Sequence, residues 1–352
     1  MINSCLHKPG RLDWMASMTP GTPEQPVRAI GLLSGGLDSL LAARLVRDQG
    51  VEVLALAFES PFFTAARARK AASLAGVPLR IVDFTRDILD LIEHPRHGFG
   101  AGLNPCIDCH ARMLRRADEI RKAEGFDFLF TGEILNQRPM SQTHRALKIV
   151  AAEAGVEEVL VRPLSALVLP ETPVEKRGLL DRSRLLGLNG RTRKGHREVI
   201  ARFGITEVPT VSGGCCLAEP NFSRRLRDVR LHEGVHDLDA VRLLFYGRHF
   251  RLGDAVKLIV GRDQADNDAL EQFSPRGYLW IHATEGNGPT CLLNATADDE
   301  ELALACSIVA YYIKASANGP VRLTVRMPDG SRHEERLASP VDDAEFQARR
   351  VI

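Results

Sequence analysis

A glycine-rich turn near the start of the chain restricts its fold more than any other feature. The apolar run Val27–Leu33 leads directly into Ser34-Gly35-Gly36-Leu37-Asp38-Ser39. An amphipathic stretch, Asp38–Gln49, follows at once, with Leu40, Leu41, Leu45 and Val46 at helical spacing and Gly50 where the helix should end. Two glycines let the backbone approach a ligand and turn tightly. The helix start that follows aims free N–H groups and a positive dipole end at the turn, which favours phosphate. Neither the Gly-Lys-Ser/Thr of a Walker A loop nor G-x-G-x-x-G is present. An acid in such a loop cannot itself stabilise phosphate, so Asp38 would have to act through Mg²⁺. On the residues alone, a capped turn of an ordinary α/β protein is the alternative.

Strand and helix signals then alternate. Val51–Phe58 and Leu79–Phe84 read as buried strands, with helices expected near 64–75 and 87–93. Phe126–Thr131 and Val159–Pro163 add strands around helices near 111–124 and 141–154. Short connections throughout predict an α/β domain over 27–170, a doubly wound parallel sheet covered on both faces. Residues 1–26 read as a flexible leader without the apolar core of a secretory signal. No stretch reaches the roughly 18 apolar residues of a membrane helix, so the expected setting is cytoplasmic and away from membranes.

A change of composition follows. From Lys176 to Arg230 thirteen Lys/Arg face five acids, so this window carries +8 and the rest −7 of a net +1. A basic block in an otherwise acidic chain points to a polyanionic partner; a solvated helical face is the plainer reading. We expect residues 171–237 to form a basic helical extension, with helices near Pro173–Leu186 and Lys194–Phe203. Residues 238–352 read as a small α+β domain. Its strand signals are Val256–Val260, Tyr278–His282, Cys291–Asn294 and Val321–Met327. An acid-led helix is expected over Asp298–Lys314, and Pro328-Asp329-Gly330 is a hairpin signal.

Seven cysteines are too few and too uneven for a secreted disulfide framework. Cys5, Cys291 and Cys306 are scattered, but Cys106 and Cys109 form a C-x-x-C in Asn104-Pro105-Cys106-Ile107-Asp108-Cys109-His110, just before a helix. A thiolate near a helix start is expected to have a lowered pKa. Cys215 and Cys216 follow a glycine pair in Ser212-Gly213-Gly214-Cys215-Cys216. Three meeting thiolates admit zinc with His110 as fourth ligand, a persulfide pair in which one cysteine carries sulfur and another resolves it, or a three-cysteine [4Fe–4S] cluster with one open iron.

The S-G-G-L-D-S turn resembles the signature of the PP-loop ATP pyrophosphatases, which cleave ATP between the α and β phosphates. The resemblance implies an adenine-nucleotide-hydrolase fold of the HUP type, with ATP and Mg²⁺ held by Ser34, Gly35, Gly36, Leu37, Asp38 and Ser39. The end of the second strand, Ala57 and Phe58, would meet adenine, and Gly132 and Glu133 would line the nucleotide. Thr131-Gly132-Glu133 with Gln137 and Ser141-Gln142-Thr143 is similar to a stretch of the 4-thiouridine synthase nucleotide domain. Over about 27–230 the chain therefore looks like a tRNA-thiolating enzyme, a tRNA sulfurtransferase. That resemblance implies Asp38, Cys109 and Cys215 as catalytic residues and Cys106, Cys109 and Cys215 as cluster ligands, Cys215 being preferred to Cys216 because it follows the glycine pair. Sulfide or a sulfur carrier would be the donor, and a cysteine persulfide without a cluster is the alternative. The residues ahead of the glycine turn are not expected to hold the N-terminal RNA-binding domain usual in 4-thiouridine synthases. The segment around Val256–Arg262, with Asn267 and Leu270, resembles the NFACT-type RNA-binding module, which would replace it, with Lys257 and Arg262 as phosphate contacts. The alternative for that module is an appendage for homodimerisation. Two other functions compete: a PP-loop enzyme adenylating a small molecule, and a non-catalytic nucleotide-responsive RNA-binding protein.

Overall fold

The structure is a computed structural model and describes residues 26–192, 194–205, 215–272, 277–327 and 329–351. Residues 1–25 of the expected leader, with Cys5, lie outside the described residues, as do Arg193, Ser212-Gly213-Gly214 and Pro328.

The first half is built as the alternation requires. Its elements are β1 (Arg28–Leu32), α1 (Leu37–Arg47), β2 (Glu52–Glu59), α2 (Ala66–Ala75), β3 (Leu79–Asp83), α3 (Thr85–Glu93), α4 (Cys106–Glu124), β4 (Phe128–Thr131), α5 (His144–Ala154) and β5 (Leu160–Val161). The strands pair in parallel in the order β3-β2-β1-β4-β5. One face of the sheet packs Leu40, Leu41, Leu45, Phe128 and Phe130 into a core. The opposite face packs Ile30, Leu56 and Leu129 against Leu114 of α4 and Val150 of α5. The chain runs outward from β1 to β3, then returns to lay β4 on the other side of β1. Such a reversal opens a crevice at the carboxyl ends of β1 and β4, the place where open α/β sheets bind ligands.

The extension differs in part from expectation. The expected helix Pro173–Leu186 is only one turn, α6 (Pro173–Lys176), with a 3₁₀ turn at Arg182–Arg184. Gly178 has a φ of +71°, a left-handed conformation that stops the helix. The helix at Lys194–Phe203, α7, is present. Two further helices carry no sequence expectation, α8 (Pro220–His232) and α9 (Leu238–Leu243). Leu226 and Val229 of α8 pack with Val241 and Leu244 and with Ile88 and Ile92 of α3.

The second sheet contains β6 (Arg248–Arg251), β7 (Lys257–Val260), β8 (Tyr278–Ala283), β9 (Cys291–Asn294), β10 (Val321–Arg326) and β11 (His333–Ala338). Their order is β11-β10-β8-β9-β7-β6, antiparallel throughout. The remaining helices are α10 (Gln264–Gln272), α11 (Asp299–Tyr311) and α12 (Asp343–Arg349). A capping box fixes the start of α11: the Asp298 carboxylate accepts from Glu301 N–H, and the Glu301 carboxylate accepts from Asp298 N–H. The inner face of α11, including Leu302, Cys306 and Val309, covers the sheet beside Leu258, Leu279 and Leu323. Among the described residues no helix is long and apolar enough to cross a membrane.

Candidate active site

At the crevice, the loop after β1 runs into α1 with Gly36 as N-cap and no side chain capping the helix start. Its first amides therefore remain available to an anion. Gly35 has a φ of +82°, and a Cβ there would come within 2.5 Å of the Arg67 carbonyl carbon. From the other side β4 delivers Gly132, where a Cβ would lie 2.5 Å from the Ser39 nitrogen. Glycine at position 35 lets the loop lie against the start of α2, and glycine at position 132 lets the β4 end close on the start of α1. The Ser39 hydroxyl donates to the Gly36 carbonyl at 2.9 Å and stands 3.4 Å from the Ser34 hydroxyl.

Asp38, expected to hold the metal, has both carboxylate oxygens engaged. Gln137 Nε2 donates to Oδ2 at 3.1 Å, and His196 Nε2 lies 2.6 Å from Oδ1. His196 comes from α7, is buried, and leaves its Nδ1 without a partner. Sequence reasoning missed it: it stands 158 positions from Asp38, within the basic block.

Glu133 is buried, and its carboxylate is already used. It accepts from the Thr131 hydroxyl at 3.0 Å and Arg162 Nε at 2.9 Å, and lies 3.1 Å from His110 Nδ1. Burial alone would raise its pKa, but Arg162 and His110 together outweigh it and hold the acid near 2. The ring of His110, weighed above as a zinc ligand, is thus turned to Glu133, and this bond ties the C-x-x-C helix to the nucleotide crevice. Phe58 at the end of β2 turns its ring into the neighbouring apolar cluster, edge-on to Phe84 with centroids 5.2 Å apart.

Cys106 and Cys109 lie inside the first turn of α4 rather than before it, with Pro105 as N-cap. Leu103 N–H donates to the Leu217 carbonyl at 3.0 Å, and the Ser223 hydroxyl donates to that same carbonyl at 2.6 Å. The first of these bonds docks the segment before α4 against the one that follows Cys215. Cys109, Cys215 and Cys216 consequently share one apolar cluster with Leu103, Leu217 and Phe222.

The lowered pKa expected at the helix start is not found. Burial, reinforced by the neighbouring Cys215, pushes the thiols of Cys106 and Cys109 up. Cys215 goes the other way, drawn down to about 7 by the Cys216 thiol, against burial and with help from the Leu217 amide, His110 and Arg138. Cys216 is pushed up in turn and stands 3.2 Å from the Phe62 carbonyl oxygen. Among the described residues no three Cys, His, Asp or Glu side chains form a ready-made metal array. Cys109, Cys215 and Cys216 bring soft sulfur donors into one apolar cluster, and Cys106 stands close enough to Cys215 for the charge there to raise its own thiol.

Residues 25–168 match the family model described as thiamine biosynthesis protein, ThiI. Behind this ThiI-like segment, residues 247–349 match the NFACT protein RNA binding domain. A probable tRNA sulfurtransferase of Thermoanaerobacter sp. (strain X514) is 35% identical over 146 residues, 39% of this chain and 36% of that protein. Another, from Caldanaerobacter subterraneus subsp. tengcongensis, is 32% identical over 169 residues, 46% of this chain and 40% of that one. A crystal structure of a 4-thiouridine synthetase–RNA complex with bound ATP is 23% identical, covering 53% of this chain and 46% of that chain with a TM-score of 0.34. The chain thus spans well under half the length of the curated relatives it matches.

The NFACT-like sheet corrects one expectation. Lys257 is no phosphate contact: it is 3% exposed, and its ammonium sits 3.0 Å from Asp228 of α8. Arg262 is paired with Asp266 at 2.5 Å but stays partly exposed.

Proposed function

We propose that the chain thiolates a uridine in tRNA or another structured RNA at the expense of ATP. The observation that carries this reading is the His110–Glu133 bond at 3.1 Å, which sets the cysteine helix against the glycine crevice. Activation and sulfur delivery need adjacent sites, because an adenylated carbonyl left in water hydrolyses.

In this reading the amides of the Gly35–Ser39 turn and the helix start bind the ATP phosphates. Asp38 supplies a carboxylate for Mg²⁺, which would neutralise phosphate charge, once it is released from His196 and Gln137. The uridine carbonyl oxygen attacks the α-phosphorus, pyrophosphate leaves, and the ring carbon becomes an electrophile bound to AMP. Sulfur then attacks that carbon and AMP departs. Cys106, Cys109 and Cys215 would hold a [4Fe–4S] cluster, whose open iron would bind sulfide. The lowered Cys215 thiol favours a second route without iron. There Cys215 carries a persulfide received from a sulfur carrier, its outer sulfur attacks, and a second thiol resolves the bond as a disulfide that an external thiol must reduce.

The test is pyrophosphate release by purified protein with and without tRNA, joined to mass spectrometry of the nucleosides. RNA-dependent release with a gain of sulfur is expected. Asp38→Ala should fold normally and lose turnover by at least about a hundredfold. Release without RNA would move the substrate to a small molecule, and near-wild-type release by Asp38→Ala would remove Asp38 from the mechanism.

A further inference from the structure

A cleft of about 350 Å³ opens between the amino end of α8 and the second sheet, and it shares no lining residue with the glycine crevice. Arg225, Arg248, Arg262 and Arg350 line it, with Glu219 and Asn221 at the helix start. Four guanidinium groups therefore face a single carboxylate. That carboxylate is already spent on the helix, accepting from the amides of Asn221 at 3.0 Å and Phe222 at 2.5 Å. Among the described residues neither Arg225, Arg248 nor Arg350 has an acid within ion-pairing distance, and Arg225 Nε is buried without a partner. Burial and the nearby Arg262 disfavour charge on Arg225, and Glu219 and Asp266 offset this only in part.

The groups are also held in place. Arg225 lies over the Phe222 ring at 5.8 Å and Arg248 over the Tyr312 ring at 5.0 Å. Arg225 is further fixed by donating to the Gly247 carbonyl at 3.3 Å, and Arg262 by its pair with Asp266. Gly247 and His249 complete the lining, and the His249 ring is buried, so among the described residues no exposed aromatic ring there offers a base a platform. Forked donors without a stacking platform suit phosphate oxygens, read for charge and not for sequence.

We propose that this cleft, at the joint between the basic helix α8 and the NFACT-like sheet, clamps the phosphodiester backbone of the RNA substrate. The proposal rests on the RNA-thiolation reading and gives that reading an RNA contact away from the reacting uridine. Arg248 and Arg350 are the informative positions, because neither makes an ion pair that its replacement would break.

The experiment uses the full chain and the double variant Arg248→Gln/Arg350→Gln, titrated with bulk tRNA and an unrelated structured RNA at several salt concentrations. Wild type should bind both, and the variant about tenfold or more weakly. The slope of log affinity against log salt should fall by about one for each phosphate contact removed. Arg248→Lys/Arg350→Lys should restore most of the slope, and ATP binding without RNA should not change. If wild type binds RNA and the Gln variant matches it in affinity and slope, the cleft is not an RNA clamp. Protection of wild type by inorganic phosphate, lost in the variant while RNA affinity stays, would make it a small-anion site and overturn the proposal. Loss of polyglutamate binding with unchanged RNA affinity would assign it to an acidic protein with the same consequence. Failure of wild type to bind any RNA would instead sink the thiolation reading itself.

Discussion

Cys215 and Cys216 are neighbours in sequence and opposites in chemistry. The Cys216 thiol stabilises negative charge on Cys215, and the same interaction makes Cys216 the harder to ionise. We therefore expect Cys215→Ala to abolish thiolation while Cys216→Ala keeps part of it. Anaerobically purified protein should carry about four irons per chain if the cluster reading holds. Colourless, iron-free protein that still thiolates RNA would decide for the persulfide. Glu133 gives a second test at this scale. Its pKa is lowered from 4.5 to about 2, so its ionised form stabilises the fold above its unfolded pKa. That stabilisation, on the order of 3 kcal/mol, is lost as pH falls from about 4.5 towards 2. Urea unfolding at pH 7 and pH 3 should show the loss, and Glu133→Gln should be less stable at pH 7 with a weaker acid dependence.

Among the elements, the crevice depends on how closely β4 approaches the start of α1. A methyl group on Gly132 would collide with the Ser39 nitrogen and the Asp38 carbonyl carbon, at 2.5 and 2.6 Å. Both are backbone atoms and cannot swing aside. Gly132→Ala should cost about 1–3 kcal/mol and push the strand from the helix. Nucleotide affinity should fall more than the unfolding midpoint, as calorimetry with ATP would show. Near-normal ATP binding by this variant would mean that the loop does not need the close approach. The helices expected from periodicity are present at 64–75, 87–93 and 194–203 within a few residues, because an apolar stripe declares itself over two or three turns. The helices α8 and α9 escaped, being short or dominated by arginine, and their apolar faces acquire meaning only against α3.

Across the whole molecule, a buried ionic group joins the extension to the second sheet. Asp228 accepts from Arg251 at 2.6 Å and from Lys257 at 3.0 Å, and Arg251 also reaches Glu233 at 2.6 Å. Burial would raise the Asp228 pKa, but Arg251 and Lys257 together hold it down. Removing the shared carboxylate would leave Lys257 without its partner in a site that excludes water. We expect Asp228→Ala to cost about 3–5 kcal/mol and to split thermal unfolding into two transitions, with the NFACT-like sheet melting apart from the parallel one. One cooperative transition near the wild-type midpoint would show that apolar packing alone holds the joint.

The sequence by itself determined the α/β alternation, the glycine turn between β1 and α1, the acid-led α11 and the α+β character of the last third. Each is written within a few neighbouring residues as periodicity, turn chemistry or a cap. Tertiary structure alone decided which distant groups meet. It placed His196 on Asp38, His110 on Glu133, and Cys215 in the cluster of Cys109. It also reversed two local inferences, raising the thiols at the start of α4 through burial and withdrawing Lys257 into an ion pair. A side chain's charge and reach are local properties. Its burial and its partners depend on the path of the whole chain, and no window of sequence contains that path.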